Sequence, residues 1–156
     1  MKQVSISVLR AAVVLFGAGI LVAMLWEPHL EGVNANKSFW AVYADPFVAV
    51  AYLGSVPFFV GLYQAFRFLG YVGRDEASSP HASQALRRIK YCALAVVVCI
   101  VGAEVWIMLS HGDDDAAGVF ALGILATIAG LATAAGATAL ERSLRGGSGL
   151  KPAANR

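Results

Sequence analysis

Four apolar runs, each about as long as a bilayer's hydrocarbon layer is thick, decide what this chain can become. They cover residues 4–26, 46–66, 91–109 and 116–140. About 20 residues at 1.5 Å per residue span roughly 30 Å of hydrocarbon. Backbone groups in lipid must bond within their own segment, so the runs predict helices. Alternating ten-residue strand patterns are absent, which excludes a transmembrane barrel. Composition agrees: 58% of the 156 residues are hydrophobic and 14% are charged, where a soluble domain carries about 25% charged residues. The predicted fold is all-α, a polytopic four-transmembrane-helix bundle. Residues 1–144 form that domain, and 145–156, rich in glycine and polar residues, read as a disordered tail.

Charge sets the expected orientation. Of the twelve Lys and Arg residues, all but Lys37 fall on one side of a four-span arrangement. Seven of the ten acids take the opposite side or lean toward it: Glu27, Glu31, Asp45, Glu104, Asp113, Asp114 and Asp115. Excess Lys and Arg stay on the cytoplasmic face, so both termini are expected there. The expected location is the plasma (bacterial inner) membrane, crossed several times. Lys2 and Arg10 flank the start of the first run, which reads as a signal-anchor and first span.

Punctuation refines the elements. Asp45 before Pro46 is a helix-start signal, and Asp113 to Asp115 offer the same before the fourth run. Ser79 before Pro80 predicts that the third helix starts there and runs to Leu109, with its first three turns in the cytosol. Gly70 and Gly73 are expected to end the second helix, and Pro57 to kink it. Gly54 and Gly61 lie seven apart on one face. Cys92 and Cys99 are also seven apart, too far for a disulfide, and read as small buried hydrophobes. In the fourth run Ala126, Gly130, Ala134 and Thr138 repeat every four residues, a small-residue stripe that permits close helix contact. Its partner is a helix of the same bundle or a second copy, which leaves a homo-oligomer through helix four open.

Residues with chemistry are few. The GxSxG, HExxH, CxxC and phosphate-loop patterns are absent, so no enzymatic activity, cofactor or resident metal is expected. Glu104 is the one acid within a span, about 7.5 Å inside the outer end. A carboxylate there needs a partner, water or a proton. It reads as a structural tie, as a ligand- or ion-sensing acid, or as a proton-coupled transport residue. His111 lies seven residues on, on the same face, and Glu27 and Glu31 share the outer side as ligand or ion candidates. On the inner side Arg67, Arg74, Arg87, Arg88 and Lys90 are candidates for contact with a cytoplasmic partner or anionic lipids. Tyr52, Ser55, Phe59, Tyr63 and Arg67 form a stripe along helix two that either lines a cavity or packs on a neighbour.

The segments EGVNANKSFWAVYADPFVAVAYLGSVPFFVGLYQAFRFLGYVG, ALRRIKYCA and DDDAAG resemble, in this order, the bacterial membrane family catalogued as domain of unknown function 2975. The resemblance runs from the exit of helix one to helix four. It implies a four-span bacterial inner-membrane protein. Members are often encoded beside a small helix-turn-helix regulator, so the resemblance implies a non-enzymatic sensor or sequestering partner for such a transcription regulator, with no direct nucleic-acid contact. The other expectation kept from the residues is a small-molecule or ion transporter or channel component using Glu104.

Overall fold

The computed structural model describes residues 2–26, 38, 40, 46–110 and 117–149. They form four helices: α1 Lys2–Trp26, α2 Pro46–Gly73, α3 Pro80–Ser110 and α4 Ala117–Gly149. Three carry segments long and apolar enough to cross a membrane, Val4–Trp26, Pro80–Leu109 and Phe120–Gly146. Large side chains stand open along them, with Leu15 71% and Leu122 69% exposed. Apolar surface of this extent requires a non-aqueous surrounding. The caps expected at Asp45 and at Asp113 to Asp115 lie outside the described residues.

The helices stack in chain order. α1 packs on α2, α2 on α3 and α3 on α4. Among the described residues, α4 does not return to close broadly on α1. The expected bundle is therefore an open row with α3 inside. Its buried centre is built mainly of small side chains, Ala82, Ala85, Ala93, Ala134 and Ala137, with Leu86 and Gln64.

Close approach explains the small residues. A Cβ on Gly54 would stand 3.4 Å from the Cys99 Cβ, and one on Gly61 3.3 Å from the Cys92 Cβ. The seven-residue spacing on α2 thus meets the seven-residue spacing on α3, because antiparallel helices keep a seam in register every two turns. Both cysteines are free, and Cys99 is exposed rather than buried. On α4 the contact stripe differs from the expected step of four. Gly123 meets Glu104, Gly130 meets Val97 and Ala93, and Ala134 and Ala137 are buried, whereas Ala126 is exposed. Alternating steps of four and three average 3.5 residues and hold the seam on the partner, while repeated steps of four rotate off it.

α1 is held more lightly. The Tyr52 hydroxyl donates to the Met24 carbonyl at 2.6 Å, and Phe16 meets Phe58 edge to face at 6.1 Å. Of the α2 stripe, Tyr52 therefore packs on a neighbour, while Tyr63 and Arg67 lower down are exposed. Pro57 sits inside α2 without ending it. α2 passes Gly70 and ends at Gly73, the second of the two glycines expected to stop it. It closes on a Schellman turn, with Glu76 N–H donating to the Tyr71 carbonyl at 2.9 Å and Asp75 N–H to Val72 at 3.2 Å. Asp75 takes the left-handed position at φ 57°, which short polar side chains tolerate.

Gly130 is the tightest crossing between α3 and α4 carbon atoms, since an added Cβ would lie 2.6 Å from Val97 Cγ2. Gly130→Ala should destabilise the fold by about 1–3 kcal/mol through overpacking. Val97→Ala in the same chain should recover most of that loss. Unfolding in mixed micelles titrated with SDS, followed by circular dichroism, measures both.

Candidate functional site

The chemistry collects at the basic end of the row, where α2 ends and α3 begins. Ser79 caps α3: its Oγ accepts from Ala82 N–H at 3.2 Å, and Pro80 follows at the first helical position, where its missing N–H costs nothing. α3 has 31 residues and α4 has 33, about 46 and 50 Å long. Both exceed about 30 Å of hydrocarbon, so their basic ends continue as a helix pair beyond it. α4 runs through Arg145 to Gly149, where the sequence suggested an unstructured tail had begun; residues 150–156 lie outside the described ones.

Glu141 ties this pair together. Its Oε1 receives Arg145 Nη2 at 2.7 Å and Arg87 Nη2 at 3.5 Å. The Ser83 hydroxyl points at the same oxygen at 3.4 Å, while Ser83 Oγ accepts from Arg145 Nε and Nη2 at 3.3 and 3.2 Å. The Glu141 side chain is 13% exposed, and those of Arg87 and Arg145 are 54% and 58% exposed. A carboxylate held between two guanidiniums is a charge-assisted clasp across α3 and α4. Beside it lies an open groove of about 290 Å³ lined by Ser78, Ser79, Pro80, Ser83, Gln84, Arg87 and Arg145.

The five basic candidates do not form one cluster. Arg87 joins the clasp. Arg67 Nη2 donates to the Tyr71 hydroxyl at 2.8 Å, and Tyr71 stacks with His81 at 6.3 Å. Lys90 Nζ lies 5.8 Å from the centre of the Tyr91 ring, and Arg74 and Arg88 are exposed. Glu141, Arg145 and Ser83 were missed as site residues. The four-residue spacing of Glu141 and Arg145 was the available signal, as this is the spacing of a helical ion pair. On α1, Arg10 places its guanidinium 4.2 Å from the centre of the Phe66 ring, a cation–π contact.

At the opposite end, Glu104 lies between α3 and α4 with its carboxylate against Gly123, where a methyl group would collide with it. Its Oε1 and the Thr127 Oγ1 one turn further along α4 are buried, and neither has a hydrogen-bond partner among the described residues. The other candidates for this end, Glu27, Glu31 and His111, lie outside the described residues. Among the described residues no group of three or more His, Cys, Asp or Glu side chains is placed to hold a metal ion.

Comparison with known proteins adds the following. The family described as Protein of unknown function (DUF2975) matches residues 33–152. A Bacillus subtilis (strain 168) protein named Uncharacterized membrane protein YoaS is similar, 29% identical over 147 residues, which is 93% of this chain and 92% of that protein. No solved structure matches.

Glu141→Ala should loosen the clasp without unfolding the row. Because both arginines are more than half exposed, the loss should stay below about 1 kcal/mol. Hydrogen exchange should accelerate at the basic ends of α3 and α4 and stay unchanged at the centre of α3.

Proposed function

The chain belongs to the DUF2975 family of membrane proteins, and on that premise we propose that it is a non-enzymatic membrane sensor or anchor that presents a folded basic platform to a cytoplasmic regulator. In this reading α2 is the remaining span, four spans cross the plasma (inner) membrane, and both termini are cytoplasmic. The observation that carries it is the clasped extension of α3 and α4 beyond the hydrocarbon. A chain that only had to cross the membrane would not need a second helix ordered past the bilayer and tied by Glu141 to Arg87 and Arg145.

Arg74 and Arg88 are exposed around this extension, and Lys90 stands at its base. They favour a partner with an acidic surface, since complementary charge directs approach and register. The family resemblance points to a small helix-turn-helix regulator. Such a protein held on this platform is kept from DNA, and a change at the outer end of α3 reaches the platform along one continuous helix. The purified protein in detergent should retain a helix-turn-helix regulator encoded in the neighbouring genes in a pull-down. The Arg74→Glu/Arg88→Glu double variant should lose at least tenfold in affinity. No retention by the wild-type protein sinks this reading.

A second reading rests on Glu104. A buried carboxylate oxygen with no partner among the described residues, at a crossing of two apolar helices, supports a small-molecule or ion transporter or channel component. Glu104→Gln should then abolish ion- or proton-driven flux in proteoliposomes while the protein stays folded. Wild-type vesicles no leakier than empty ones remove this alternative.

A further inference from the structure

We infer that the groove between the start of α3 and Arg145 of α4 is a binding site for a phosphate group, carried on an anionic lipid headgroup or free in solution. Two guanidiniums, Arg87 and Arg145, converge on it from different helices. In the described contacts Arg87 commits only Nη2, to Glu141, and a guanidinium has five N–H donors. Ser78, Ser79 and Gln84 line the same groove and add hydroxyl and amide donors. The start of α3 adds the partial positive charge of a helix N-terminus. Glu141 neutralises one arginine and leaves the groove cationic overall. Forked guanidiniums beside hydroxyl groups match an acceptor-only group with several oxygens, which is the chemistry of phosphate.

Depth fits the ligand. Taking Tyr91 as the start of the apolar part of α3, Arg87 lies four residues and Ser83 eight residues before it, about 6 and 12 Å from the hydrocarbon edge. The headgroup layer is about 5–7 Å thick on each side. The inner mouth of the groove thus opens at lipid phosphates, while the Ser78 and Ser79 end faces water.

The site needs no protein partner, so it stands or falls apart from the regulator reading. The test uses the full-length protein in neutral detergent. Native mass spectrometry would count adducts of phosphatidate, phosphatidylglycerol and phosphatidylcholine, and thermal shift would compare inorganic phosphate with chloride at equal ionic strength. Phosphatidate or phosphatidylglycerol should be retained over phosphatidylcholine if the source is lipid; a shift with inorganic phosphate alone identifies a soluble source. Arg145→Ala should weaken binding at least tenfold and Arg142→Ala, which removes the same charge from an exposed neighbouring position, less than twofold. Arg145→Lys should keep part of the binding, and Glu141→Gln should tighten it severalfold by releasing both arginines. Equal losses in R145A and R142A, no gain in E141Q, or no preference for either phosphate source would overturn the proposal.

Discussion

Everything in this fold depends on how near α3 can come to its two neighbours. In lipid, apolar side chains gain little by leaving their surroundings for one another, so helices associate through van der Waals contact at short range. Short range requires small residues. Gly54 and Gly61 on α2 and Gly130 on α4 leave room for Cys99, Cys92 and Val97 of α3. The buried alanines between them continue the same seams. The result is a central helix gripped on two sides by backbone proximity rather than by bulky side chains.

Polar chemistry is placed where that grip ends. At the basic end the α3–α4 seam leaves the hydrocarbon and passes from alanine to the Ser83, Arg87, Glu141 and Arg145 clasp. At the other end it reaches Glu104 against Gly123. The two polar loci therefore share one helix pair. A shift of α3 against α4 at Glu104 has a direct mechanical route to the clasp, because both ends belong to the same two rods.

Much of this was legible in the chain. The four helices follow from apolar length, and the start of α3 from Ser79 and Pro80. The seven-residue spacings of Gly54 and Gly61 and of Cys92 and Cys99 were each visible, but that the two meet in an α2–α3 seam came from the structure. Other features were hidden for identifiable reasons. α4 was expected to give way to a disordered tail from residue 145 because the composition turns glycine-rich and polar there. Polar residues do not end a helix already outside the membrane, and Glu141 with Arg145 extends it against α3. α2 stops at Gly73 as its glycines announced, but the Schellman hydrogen bonds through Asp75 that close it were not foreseen. The every-four stripe on α4 misled because the steps of a packed seam alternate between four and three. Of the outer candidates, only Glu104 falls among the described residues.

The row arrangement bears on how the molecule is made. Each helix after α1 packs on the helix synthesised just before it. No span has to wait, bare, for a partner that emerges last from the ribosome. Pairing accumulates by successive short-range additions, the kind of topology that keeps loop-closure cost low. Among the described residues α1 ends as an outer slat with one broadly packed side, the position with the fewest obligations to the rest.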